Sequence, residues 1–289
     1  IYFMYAFETC MKVAAYLLCV GAALELSHRF YWKLNKSILS LKGSALARSA
    51  ATALLACIPM VMAFAITLVF LTYWDRRPFS VLGFPPNAAT AAYYTTYGVG
   101  TALGCVTLVF LVGMLGGHIR VRRSKLARNR RAHMPAFVEG LTAFFTAAIF
   151  EEIIFRGYVY YELQKAFGAP AAILSSSLIF SSAHYIKHQR TPVTFAINAF
   201  LFGVLAAICR YQTGTLWLSI GLHFGWNVVS GPIFGLPYSG RSYDHGVVSS
   251  DVTGPVWLTG GPYSLDAGVL GTVALIVAAL GLVAVTTMH

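Results

Sequence analysis

Apolar residues run through this chain in stretches of roughly 18 to 30, and a stretch of about 20 is what a membrane-spanning helix needs. We expect eight such spans, at about 5–26, 46–74, 91–117, 135–164, 169–186, 193–210, 214–232 and 265–287. In hydrocarbon every backbone N–H and C=O has to be paired within the protein, so only helices and closed barrels cross. These runs are too long and continuous for barrel strands. The expected fold is all-α: a polytopic membrane helix bundle.

Composition agrees. Only 11% of the 289 residues are charged, against roughly a quarter in a soluble domain. The deficit extends over the whole length, so 1–289 reads as one integral membrane domain. Within it we distinguish N-terminal spans (1–117), a basic loop (118–134), a motif-bearing core (135–232), and a loop with the last span (233–289). The net charge of +11 comes mainly from two connections. Arg29, Lys33, Lys36, Lys42 and Arg48 lie in 27–48, and Arg120, Arg122, Arg123, Lys125, Arg128, Arg130 and Arg131 in 118–133. The positive-inside bias places loops 27–45 and 118–134 in the cytoplasm and both termini outside, with anionic lipid head groups in reach of the basic side chains. No aromatic-interleaved basic fold accompanies the charge, so nucleic acid is not an expected partner.

The chain begins at Ile1, and its first apolar stretch lacks a suitably placed small-residue cleavage site, so we expect a span there rather than a signal peptide. Cys10, Cys19, Cys57, Cys105 and Cys209 lie in or beside apolar stretches without a CxxC pair, which argues against a disulfide framework or a zinc knuckle. Trp32, Trp74, Trp217 and Trp257 fall near expected span ends, as interfacial anchors do. Arg76-Arg77-Pro78 and Pro85-Pro86-Asn87 punctuate the second loop. The longest stretch expected to be non-helical, 232–264, carries Gly235-Leu236-Pro237-Tyr238-Ser239-Gly240 and Thr259-Gly260-Gly261-Pro262, and loops of that length are often functional.

Three polar signatures interrupt the apolar spans: Glu151-Glu152-Ile153-Ile154-Phe155-Arg156, Phe180-Ser181-Ser182-Ala183-His184 and His223-Phe224-Gly225-Trp226-Asn227. Ionisable groups at membrane depth are costly and mark function by default. Adjacent helical residues project about 100° apart, so Glu151 and Glu152 face different surroundings. Glu152 and Arg156 are spaced i,i+4 in the favourable order and pair on one face. That leaves Glu151 as the uncommitted carboxylate, suited to act as general base for a water. His184 shares a face with Phe180 and is a candidate partner of Glu151, while His188 belongs at the aqueous edge beside Lys187 and Arg190. His223 and Asn227, again i,i+4, place an imidazole and an amide on one face, as donors to an oxyanion would be. A structural ion network for the first signature and interhelical hydrogen bonding for the third are the bland alternatives.

EExxxR, FxxxH and HxxxN on successive helices resemble the CAAX protease and bacteriocin-processing family, also called the Abi family, of intramembrane glutamate-dependent proteases. The similarity is best from about Ala136 onward, where Phe155-Arg156-Gly157 and Thr213-Gly214-Thr215-Leu216-Trp217 look like bacterial members. It implies that Glu151 and His184 activate the attacking water. It also implies that His223 and Asn227 stabilise the oxyanion, that Glu152, Arg156 and Phe180 support the site, and that the site lies between the fourth, fifth and seventh spans. It implies a bacterial inner-membrane, multi-pass endopeptidase without a cofactor, acting on a membrane-associated or lipid-modified peptide or protein. Tyr263-Ser264-Leu265-Asp266 departs from the Gly-Pro-Glu-like stretch expected in the tail.

Two other classes stay open. Glu151, His184 and His223, with His188 in reserve, would suit a three-ligand zinc site, although HExxH is missing. A non-catalytic scaffold, immunity factor or accessory subunit of a larger membrane complex would use the same cluster to bind helices together. A serine type lacks a Ser in a sharp Gly-flanked turn. An aspartyl type is disfavoured because Asp75, Asp244, Asp251 and Asp266 are expected in loops or at a span edge.

Overall fold

Long apolar helices account for most of the chain. The computed structural model describes residues 2–40, 45–85, 87–187, 192–238 and 242–286. Lys42, Pro86, His188, Arg190 and Ser239-Gly240 lie outside the described residues, as do the side chains of Trp32 and Lys187. Helix α1 spans Tyr2–Ser40, α2 Ala45–Ala56, α3 Ile58–Val69 and α4 Ala88–Leu115. Then come strand β1 (Ile119–Arg122), α5 (Lys125–Arg128), α6 (Arg130–Glu152), α7 (Tyr160–Lys187), α8 (Val193–Thr213) and α9 (Trp217–Val228). Strand β2 (Ser249–Val252), α10 (Val256–Thr259) and α11 (Val269–Thr286) complete the chain.

Among the described residues, five segments are long and apolar enough to cross a membrane: Phe3–Ile38, Ala50–Asp75, Ala88–Leu115, Val193–Thr213 and Gly261–Leu282. The segments carrying the three polar signatures are not among them. Of these, α7 is interrupted by a non-helical Gly168, and α9 is a helix of only 12 residues.

Three expectations need correction. Residues 27–40 are not a loop, because α1 continues through them, and Arg29 pairs with Glu25 one turn earlier at 2.8 Å. The basic segment 118–134 is not irregular either. It holds β1, α5 and the start of α6, and β1 pairs antiparallel with β2, Ile119 opposite Val252 and Arg122 opposite Ser249. This ribbon is the one small sheet among the described residues, and the all-α polytopic bundle expected from the sequence stands. The expected span 135–164 is not one uniform helix: α6 widens into a π-helical turn, Ile153–Val159, directly after Glu152.

The connections alternate between two ends, as successive crossings require. At one end Leu216 N–H donates to the Gly83 carbonyl at 2.8 Å, the Arg210 guanidinium donates to the Val81 carbonyl, and Lys12 reaches Asp75 and Glu162. At the other end β1 meets β2, and Lys125 N–H donates to the Asp244 carbonyl.

The closest helix crossing joins α4 to α9 through glycines. A Cβ on Gly98 would lie 2.5 Å from the Leu218 carbonyl oxygen, one on Gly225 2.8 Å from the Ala102 Cβ, and one on Gly221 against the Thr95 backbone. Lipid offers no hydrophobic drive for helix association, so such small-residue seams supply the packing instead. Gly221 and Gly225 flank His223, and the seam therefore fixes the helix that carries the third signature.

Candidate active site

The π turn after Glu152 adds a residue to the helical circuit, a device found often at functional sites. Within it Arg156 is wholly buried, and its Nη1 donates to Glu152 Oε1 at 3.0 Å, the pair expected from the spacing. The guanidinium sits over the Phe180 ring, 4.2 Å from its centroid. Such cation–π contacts are worth about 2 kcal/mol when desolvated.

Glu152 also accepts from His223 Nδ1 at 2.9 Å. A carboxylate paired with arginine only accepts, so Nδ1 carries the proton and Nε2 is directed elsewhere. It faces Glu151, whose Oε2 lies 3.7 Å away. From α7, His184 Nδ1 donates to the Phe180 carbonyl at 2.9 Å. Its tautomer is thereby fixed, because a carbonyl has no proton to give, and its Nε2 stands 3.5 Å from the same Glu151 oxygen. Glu151 is thus approached by two imidazoles from two helices, at separations beyond the 2.7–3.2 Å of a direct N–H···O bond. Phe180 organises both sides, with its ring under Arg156 and its carbonyl on His184.

These groups line a chamber of about 830 Å³. Glu151, Phe180, His184, His223 and Asn227 are all on its wall, whereas Glu152 and Arg156 lie behind it, fully buried. The expected site residues therefore come together, five on the chamber and two in support. The wall is not made by the fourth, fifth and seventh spans alone. Gly21 to Tyr31 on α1, Leu55 and Ala56 on α2 and Pro59 on α3 contribute, as do Asn198 and Phe202 on α8.

Among the wall residues missed by sequence reasoning are two polar ones from the C-terminal tail. Asp266, expected only at a span edge, lies in a 3-10 turn (Gly261–Ala267) and accepts from Trp226 Nε1 at 3.0 Å. Asn198 Nδ2 clamps that turn by donating to the Gly268 carbonyl at 3.0 Å, and Ser264 takes a left-handed φ of 49° two residues before the carboxylate. Strained backbone of this kind persists where surrounding structure imposes it, often at functional sites. Tyr238, from the tail after α9, is the second. The signal available in the sequence was the departure at Tyr263–Asp266; for Tyr238 it was its place within Gly235-Leu236-Pro237-Tyr238-Ser239-Gly240 of the long loop. Among the described residues no group of three His, Cys, Asp or Glu side chains is arranged to hold a metal ion.

Searches of curated proteins and of solved structures returned no match. Residues 132–229 match the family model described as type II CAAX prenyl endopeptidase Rce1-like. That segment begins in the first turn of α6 and ends just past Asn227, so it contains all three polar signatures. Over that segment, which lies within a multi-pass helical fold, the chain is similar to the CAAX protease and bacteriocin-processing family.

Proposed function

We propose that the chain is an intramembrane endopeptidase in which Glu151 and His184 activate a water for attack on a peptide bond. The observation that carries this reading is the placement of Glu151 Oε2 between His184 Nε2 and His223 Nε2, at 3.5 and 3.7 Å on the chamber wall. Polar groups at such separations are commonly bridged by water. A water held there gives its proton to the Glu151–His184 pair as its oxygen attacks the carbonyl carbon. Asn227 donates to the resulting oxyanion. His223 joins it only when doubly protonated, since its Nδ1–H is given to Glu152. Collapse of the intermediate breaks the C–N bond, and the amine leaves with the proton that the pair had taken. No metal is part of the step, and activity is expected to survive chelation.

The substrate is a membrane-associated or lipid-modified peptide or protein, taken up beside membrane lipids in a bacterial inner membrane, with the basic end of the bundle in the cytoplasm. The test is Glu151→Gln. The variant should insert and fold like the parent, retain substrate peptides identifiable by mass spectrometry, and cleave them about a thousandfold more slowly, within the usual worth of a general base. Parent-like cleavage by this variant and by His184→Ala would sink the reading. Retention of stable protein subunits alone would favour a scaffold in a larger membrane complex.

A further inference from the structure

The oxyanion needs more than one donor, and most N–H and O–H groups on the chamber wall are already committed. His223 Nδ1–H goes to Glu152 and Trp226 Nε1–H to Asp266. The Asn198 amide goes to backbone carbonyls, and the Ser27 hydroxyl to the Leu24 carbonyl. Tyr238 differs: it lines the chamber, and its hydroxyl makes no hydrogen bond to another described residue.

The fold delivers this phenol to the catalytic wall. After α9 the chain doubles back, with Gly235 at φ +59° where a Cβ would strike the Val248 carbonyl, and Leu236 N–H donates to the Ser230 carbonyl at 2.9 Å. The Tyr238 ring then packs edge-on against Phe144, centroids 5.0 Å apart. Phe144 lies two turns before Glu151, and positions i and i+7 share a helix face. Burial, with the charges of Asp266 and Glu151, pushes the phenol above its ordinary range, so it keeps its proton.

We infer that Tyr238 is a catalytic residue of this site, its phenol O–H donating to the oxyanion beside the Asn227 amide. The inference rests on the hydrolytic reading of the chamber. Water oxygen bonds to the carbonyl carbon while the C=O π pair moves onto the oxygen, which accepts from Tyr238 and Asn227. The phenol gives a hydrogen bond and never its proton, so it returns unchanged when the C–N bond breaks.

Tyr238→Phe removes one oxygen and keeps the ring on Phe144. With a peptide recovered on Glu151→Gln as substrate, kcat should fall about 100-fold with KM unchanged, the usual loss for one oxyanion donor. The probe for the intermediate is a peptide phosphinate of the same sequence, tetrahedral and anionic at the scissile position, beside its planar amide. The variant should lose about 100-fold in phosphinate affinity and nothing in amide affinity. A Tyr238→Phe enzyme with parental kcat and parental phosphinate preference overturns the inference while the hydrolytic reading stands. A parent that shows neither phosphinate preference nor Glu151-dependent cleavage overturns both. As a check that needs no variant, the 13C-labelled phenol carbon of Tyr238 should shift when the phosphinate binds; an unmoved resonance overturns the inference.

Discussion

At the end of the bundle that holds Asp75, the Lys12 ammonium lies 2.6 Å from Asp75 and 3.4 Å from Glu162. Tyr158 donates to Asp75 at 2.8 Å, and Lys165 to Glu162 at 3.1 Å. At the chamber Glu151 meets His184 and His223 at 3.5 and 3.7 Å. Both clusters put charge among apolar helices, yet the first closes on itself and the second is held apart. A closed cluster satisfies its own groups and joins helices. A spaced one has room for a reacting atom and spends support, through Arg156 and Glu152, on holding that room open. On the hydrolytic reading, spacing rather than charge at membrane depth separates the proposed site from a structural cluster.

The largest effect is expected where the chamber's support is itself closed. Arg156→Met leaves Glu152 buried with only His223 Nδ1 to meet it, and breaking a buried pair costs roughly 3–5 kcal/mol. Unfolding in detergent should show that loss, together with loss of activity in the molecules that remain folded. A variant as stable as the parent would mean that the pair contributes nothing.

Lys12→Met tests the other cluster. Asp75 retains the Tyr158 hydroxyl and Glu162 retains Lys165, so we expect about 3 kcal/mol, the lower end for a broken buried pair. Activity per folded molecule should be unchanged. If turnover falls while the fold holds, the Lys12 cluster belongs to the chemistry and the contrast collapses.

Gly221→Val probes the seam that positions the chamber. Its side chain would meet the Thr95 backbone, and overpacking a tight interface costs typically about 1–3 kcal/mol. Because His223 is two residues on, activity should fall further than stability. Equal losses would mean that α9 is a passive wall.

Much of this was legible in the sequence, and the reasons are specific. The i,i+4 pairs are set by helical geometry, so the Glu152–Arg156 contact and the shared face of His223 and Asn227 follow from spacing. The contact of His223 with Glu152 joins residues 71 positions apart, and no local period encodes it. The Gly221-xxx-Gly225 seam was written in the third signature but overshadowed by its polar residues. The ends of α1 were misread because charge ends a membrane span without ending a helix, as Arg29 on Glu25 shows. Asp266 was set aside because carboxylates at span edges are usually solvated, whereas a strained turn carries this one inward.

The smallest effect is expected at the ribbon that joins β1 to β2, outside the membrane, where pH is the lever. Burial, with Lys125 and His133 nearby, pushes His245 below its usual 6.5, so the folded ribbon binds fewer protons there than the released one. Stability from this group is present above 6.5 and is lost as pH falls through the depressed folded value. Burial pushes the Asp244 carboxyl up, but the Ser249 hydroxyl and the Arg122 guanidinium outweigh it and hold the group below 3.8. Its contribution is present above 3.8 and is lost as pH falls through its own lower folded value. Acid should therefore loosen the ribbon in two steps, the first beginning near 6.5 and the second below 3.8. Hydrogen exchange at 119–122 and 249–252 should resolve both steps. His245→Gln should erase the first step and leave the second, while protection in the Lys12 cluster stays constant. A single step at the lower pH in the parent would mean that the His245 surroundings do nothing. Loss of Lys12-cluster protection in the first step would mean that the two ends of the bundle are coupled.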